Sequence, residues 1–165
     1  ILRYMNSAYL SLRTPPESIR QAILYLGANE LRRWAAMVAL SKADETPDEL
    51  ISMLVVRARM CESLGRRFDP NKSDTCFTVG LFSGVDAIFG VPLEQAIADL
   101  PLSNEITNAL IHHRGTSGEV LKSVLSYETG DWDWFEERGY DPDSLVEDYV
   151  EAVEWTRTML KDKAA

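Results

Sequence analysis

The sequence predicts an all-α fold, a compact helical bundle, and three observations carry that expectation. Apolar residues recur with a period near 3.6 in nearly every segment. Helix-cap chemistry punctuates these segments, in place of the Asn-Gly or Asp-Gly dipeptides that close hairpins. The connections between them are a few residues long, as suits helices that pack on their neighbours.

Taken in order, Thr14-Pro15-Pro16-Glu17 and Thr46-Pro47-Asp48-Glu49 each join a hydroxyl cap, a proline in the first turn and a glutamate three residues after the cap. That is the capping-box arrangement, and it marks two helix starts. From the second, Leu50, Leu54, Ala58, Cys61 and Gly65 form one stripe with Ile51 and Val55 beside it, a long central helix of about 20 residues reaching Arg67. Asp69-Pro70-Asn71-Lys72-Ser73-Asp74 holds the turn formers of a loop. Phe77 to Phe89 is nearly all apolar or small and reads as a core helix buried on most faces. Pro92, Ser103 before Glu105, and Asp141-Pro142 start three further helices, Leu93 to Leu100, Ile106 to His113 and Ser144 to Leu160. Another fills Gly118 to Tyr127, and no internal repeat or linker divides the chain.

A length of 165 residues suits one domain spanning 1–165, with 131–165 as an aromatic and acidic helical extension. The 45% hydrophobic and 26% charged composition is that of a globular protein. No apolar run approaches the ~18 residues of a membrane span. The first residues lack the parts of a signal peptide, and Ile1 in place of an initiator methionine predicts part of a longer chain. A net charge of −9 argues against general nucleic-acid binding, which needs a basic surface. Cys61 and Cys76 lie inside apolar helical patterns and read as small core residues, so neither a disulfide framework nor a zinc site is expected and a reducing cytoplasm fits.

Leu2-Arg3-Tyr4-Met5-Asn6-Ser7-Ala8, Ser18-Ile19-Arg20-Gln21-Ala22-Ile23 and Leu26-Gly27 closely resemble the HDOD family, degenerate relatives of the HD-domain phosphohydrolases. Phe77 to Asp86 and Leu100-Pro101-Leu102-Ser103 resemble the branch that follows an EAL domain in bacterial cyclic-di-GMP signalling proteins. The resemblance covers residues 1 to about 130 and implies an HD-like helical bundle lacking its first helices, with any EAL domain upstream. In catalytic HD and HD-GYP relatives the segment equivalent to Gly80-Leu81-Phe82-Ser83-Gly84 ends in His-Asp, which binds the catalytic metals. Ser83 and Gly84 occupy those two places here, and a hydroxyl and a bare Cα are poor replacements. The first family histidine falls near Val56 or Arg57, neither of which coordinates a metal.

The residue inventory alone points the same way. The two histidines, His112 and His113, are adjacent and point about 100° apart on a helix, so they do not clamp one metal. They read as a helix C-terminus completed by Arg114 and Gly115. Asp86 reads as a structural carboxylate in an apolar helix, with a relic acid as the alternative. Gly115-Thr116-Ser117-Gly118 lacks the lysine of a phosphate loop and reads as turn and packing. Arg32-Arg33 and Arg66-Arg67, with Arg57 and Arg59 nearby in sequence, are either a solvated face or contacts for a phosphate or an acidic partner. Trp132, Trp134, Phe135, Tyr140, Tyr149 and Trp155 among acidic residues either cap the bundle or dock a partner.

These readings converge on a non-catalytic regulatory module without a cofactor. It would work through contacts with an upstream EAL domain, another signalling protein or a second copy of itself. Two alternatives stand beside it: a cyclic-di-GMP phosphodiesterase using Asp86 and His112, and a nucleotide sensor in which Arg57 or Arg33 holds phosphate.

Overall fold

The computed structural model describes residues 48–161 apart from 99 and 101. The helix start at Thr14, the motifs before residue 28, the Thr46 cap and the Arg32-Arg33 pair lie outside those residues. Among the described residues there are eight α-helices, two 3-10 turns and no strand, so the all-α expectation holds.

Helix α1, Asp48–Phe68, has the length and stripe that its apolar periodicity demands, and Leu54, Ala58, Cys61 and Gly65 are all buried. The segment after it is more ordered than a loop. Asp69 accepts a hydrogen bond from the Asn71 amide at 3.0 Å and Pro70 presets the first dihedral, so Pro70–Lys72 coils into a 3-10 turn. Helix α2, Ser73–Phe82, begins at once after it.

The single core helix expected from Phe77 to Phe89 is divided, because α2 stops at Phe82 and α3 runs Val85–Phe89. Ser83 explains the break. Its hydroxyl donates to the Gly80 carbonyl at 2.8 Å, a local bond that competes with the helical ladder. Apolar continuity makes the segment look uniform, whereas the stop is written in two small residues. Helix α4, Leu93–Ile97, ends three residues short of Leu100, whose place before Pro101 disfavours helical dihedrals.

Helix α5, Asn104–His112, starts where Ser103 Oγ accepts from the Ile106 amide at 3.3 Å. Helix α6, Gly115–Thr129, begins before the expected Gly118, so Gly115-Thr116-Ser117-Gly118 is its first turn. A Cβ on Gly118 would collide with the His113 backbone, which fixes how tightly α5 turns into α6. Helix α7, Trp132–Arg138, divides the C-terminal region more finely than expected, capped by Asp131 and ended by Gly139 at φ 65°. After a 3-10 turn at Pro142–Leu145, α8 runs Val146–Lys161.

The core lies where α1, α2, α5 and α6 meet, around Met60, Val79, Ile106, Leu121 and Val124, and Phe135 of α7 closes one end. Helices α1 and α2 approach almost backbone to backbone. A Cβ on Gly80 would sit 2.8 Å from Ala58 Cα and 2.9 Å from Cys61 Sγ. A Cβ on Gly65 would sit 2.6 Å from Cys76 Sγ. Helix α8 lies along α1 and is tied to it by polar groups: Arg59 to Glu151 at 2.6 Å, Ser63 to Asp148 at 2.8 Å, and Arg67 to Asp148. The Arg59 guanidinium also stacks over Trp155 at 5.4 Å. No helix of the described residues is long and apolar enough to cross a membrane.

This packing predicts two outcomes. Gly80→Ala gains about 1 kcal/mol of helix propensity, but its methyl meets backbone that cannot rotate aside, and overpacking costs about 1–3 kcal/mol or more. A lower urea midpoint is therefore expected, and an unchanged or raised one would contradict the close approach. Cys61 and Cys76 are fully buried, and burial pushes both thiols above their ordinary range. Neither should react with Ellman's reagent in native buffer at about pH 8, and both should react once urea unfolds the chain.

Candidate functional site

The close approach of α1 and α2 places Arg57 opposite the end of α2. Arg57 lies on the flank of the buried α1 stripe, and its guanidinium bridges three helices. Nη1 donates to Ser83 Oγ at 3.0 Å, Nε donates to both oxygens of Glu128 at 3.0 Å, and Nη2 donates to Glu128 Oε2 at 2.6 Å. The Ser83 hydroxyl in turn donates a hydrogen bond to the Gly80 carbonyl. The Arg57 side chain is 9% exposed and that of Glu128 21%, so the pair is largely shielded from water.

Local structure accounts for the cation's position. Ser83 is the C-cap of α2 and Glu128 stands in the last turn of α6, so the guanidinium faces the carbonyl ends of two helices. A positive charge is favoured at such ends, by about 0.3–1 kcal/mol each when exposed and more when partly buried. A glutamate there is disfavoured unless a cation meets it, and Arg57 meets it with a two-pronged contact.

Gly84 completes the cluster. A Cβ there would collide with Leu54 Cδ2 and lie 3.5 Å from Arg57 Nη1, so Leu54 and Arg57 fill the space a longer residue would use. The donor set does not suit a metal centre. Ser83 offers a neutral hydroxyl whose hydrogen bonds are committed, both Glu128 oxygens accept from Arg57, and a fixed cation stands between them. Among the described residues no three His, Cys, Asp or Glu side chains gather as a metal would require.

The other candidate residues are dispersed. Asp86 is half-buried in the first turn of α3, not enclosed in a continuous apolar helix, and no ion pair joins it to Arg57 among the described residues. His112 and His113 end α5 and are exposed. It is His113, at φ 50°, that takes the left-handed capping position, with its amide donating to the Ala109 carbonyl at 3.1 Å, while Gly115 already belongs to α6. Partial desolvation and the Lys122 charge hold the His113 imidazole below its ordinary pKa. Arg66 is exposed with a 3.3 Å contact to Glu62, and Arg67 binds Asp148 and the Ser144 carbonyl, which makes it an anchor for α8. Trp134 and Phe135 are buried edge to face at 5.1 Å, whereas Trp132, Tyr140 and Tyr149 remain exposed.

The matching model among protein families is that of the HDOD domain, over residues 1–98. The chain belongs to the HDOD family. Two curated proteins are similar along nearly its whole length. "Uncharacterized protein YuxH" of Bacillus subtilis is 31% identical over 169 residues, covering 99% of this chain and 41% of its own. "Cyclic di-GMP phosphodiesterase CdgJ" of Vibrio cholerae is 28% identical over 164 residues, covering 95% of this chain and 38% of its own. The chain thus spans about two fifths of the length of these relatives. No solved structure matches it.

Within this HDOD chain, Arg57, Ser83 and Gly84 fall inside the family span and Glu128 falls beyond it. Sequence reasoning misses Glu128 because it ends that helix at Tyr127. The signal is present, since a glutamate in the last turn of a helix calls for a cation from elsewhere. The cluster also backs onto an open cleft of about 680 Å³, with Glu49, Met53, Val56, Tyr127, Glu128 and Tyr149 in its walls.

Removing one partner of a buried ion pair costs about 3–5 kcal/mol, and the partial exposure of Glu128 pulls the expected loss for Glu128→Ala toward the lower end. Arg57→Met should cost less, because the freed carboxylate can turn to water whereas a freed guanidinium is trapped. Arg57→Met/Glu128→Ala should then be more stable than Glu128→Ala alone by chemical denaturation. Strictly additive losses would mean that the pair contributes no coupling.

Proposed function

We propose that this chain is a non-catalytic signalling module that acts through protein–protein or interdomain contacts in a bacterial signalling protein. The observation that carries this reading is the Arg57–Glu128 ion pair with Ser83 hydrogen-bonded to it, where the HD resemblance places the metal-binding His-Asp pair. Water activation there requires ligands able to hold a Lewis acid. An arginine satisfied by a carboxylate and a hydroxyl supplies a structural tie among α1, α2 and α6 instead.

The name of the Vibrio cholerae relative supports a place in cyclic-di-GMP signalling, and this chain corresponds to 38% of that protein. On our reading any phosphodiesterase chemistry belongs to an upstream EAL domain, and the HDOD part regulates it or links it to another cytoplasmic protein. A nucleotide-sensing role for Arg57 is less favoured, because Glu128 already occupies the guanidinium that would meet a phosphate.

The test is to incubate the purified chain with cyclic di-GMP and added Mn²⁺, Fe²⁺ or Mg²⁺, to follow linear products by chromatography, and to measure bound metal by mass spectrometry. The expected result is no turnover above the protein-free control and no stoichiometric metal. Turnover that tracks a stoichiometric metal and is lost in Asp86→Asn or His112→Ala would overturn the proposal.

A further inference from the structure

Helix α8 carries apolar residues on its outer side as well as its inner one. The side facing the bundle holds Asp148, Ala152 and Thr156, with Trp155 against Arg59 and Phe77, while the exposed Glu151 reaches Arg59 from the flank. The outward side holds Val146, Tyr149 and Val150, which are 44%, 44% and 51% exposed, with half-buried Val153 one turn on. Spacings of three, four and seven residues make that a continuous apolar stripe, the pattern a helix normally buries.

The stripe runs into the cleft beside the Arg57–Glu128 pair. Tyr149 and Tyr127 stand 6.2 Å apart between ring centres, and Tyr127 meets Trp132 at 6.1 Å. Met53, 43% exposed, and Trp132, 50% exposed, extend the apolar surface to either side. The charged residues in the walls are Glu49 and Glu128, and among the described residues neither lysine nor arginine lines the cleft.

We infer that this cleft and the outer face of α8 dock a basic amphipathic helix from a partner polypeptide. Its apolar face would cover Val146, Tyr149, Val150 and Met53, in the manner of helix-in-groove recognition. Its lysine or arginine side chains would lie over the tyrosine rings and beside Glu49, because aromatic faces and a carboxylate attract cations, Glu128 being already paired with Arg57. A second copy of this chain fits poorly: each chain carries a net charge of −9, and a two-fold contact would set one acidic rim against the other. Phosphate-bearing ligands meet the same repulsion. The inference rests on reading the chain as a contact-making module, and it names the chemistry of the contact.

The probe is a synthetic leucine–lysine amphipathic helix, with a leucine–glutamate helix of the same apolar face as its counterpart, titrated into the chain by calorimetry and tryptophan fluorescence. One-to-one binding of the lysine peptide that weakens with salt, with little binding of the glutamate peptide, is the expected result. Glu49→Lys and Tyr149→Ser should each weaken it by about tenfold or more, whereas Glu94→Lys, the same charge reversal on exposed α4, should change it little. Equal losses at Glu49 and Glu94 would reduce the effect to general attraction by an acidic protein and overturn the proposal. Equal binding of both peptides, or a dimer in sedimentation that Tyr149→Ser dissociates, would overturn it too. Cyclic-di-GMP turnover, measured separately, would sink the non-catalytic reading without deciding this one, so the two failures are distinguishable.

Discussion

The contact on which the rest of the molecule depends is the near touch of two helix backbones at Gly80. The missing side chain there lets α2 settle against Ala58 and Cys61 of α1, and Gly65 does the same one end further along against Cys76. Interiors are packed to crystal-like density, so a stripe of small residues is a specification of distance as much as of composition. The same distance positions the charged groups. It brings the end of α2 close enough to α1 for Arg57 to reach Ser83, and the same guanidinium meets Glu128 across from α6.

An ion pair in that position has a particular physical character. Desolvating two charges is expensive, and the attraction between them repays the cost only when geometry is good and the remaining hydrogen-bonding positions are used. Both conditions are met, with the carboxylate gripped through two guanidinium nitrogens and the third nitrogen taken by a hydroxyl. Two helix ends add their carbonyl dipoles on the cation's side. A metal centre and this cluster solve the same structural problem, which is how to hold converging helices around polar groups inside a bundle. They differ in chemistry, because a metal keeps an exchangeable position for water or substrate, whereas each nitrogen of this guanidinium already has a protein partner.

Much of this is legible in the residues, and the failures have a common cause. The cap at Ser103, the long stripe of α1 and the burial of both cysteines depend on local chemistry and periodicity, and the structure bears them out. The errors lie where a short-range rule is overridden by a single interaction. Continuous apolar character hides the stop at Ser83, whose hydroxyl bonds back to Gly80. Glycines at 115 and 118 suggest a turn, but the backbone of His113 packs against Gly118 and the helix begins early. Arg57 stands out in the sequence and Glu128 does not, since they are 71 residues apart and no local pattern joins them. Arg67 reads as one of a basic pair without a partner in sight, because Asp148 arrives only with α8.

The distribution of these features along the chain bears on where function resides. The family span ends at residue 98, so it includes Arg57, Ser83 and Gly84 but neither Glu128 nor Tyr127 and Tyr149 of the cleft. The HDOD core therefore supplies a scaffold and one charged arm, and residues beyond it complete both the cluster and the surface beside it. Those later helices are held differently from the core. Helix α8 is tied to α1 by Arg59–Glu151 and Arg67–Asp148, whose side chains range from 10% to 58% exposed, and exposed ion pairs of this kind contribute about 0–1 kcal/mol each. Burial of Leu145 and Ala152 and the contact of Trp155 with Phe77 supply the apolar remainder. A tightly spaced core thus carries a helix attached by ion pairs as well as by apolar contacts, with an apolar stripe on its outer side. That stripe lies beyond residue 98, so it is the later helices, outside the span that the family model matches, that shape the surface beside the Arg57–Glu128 cluster.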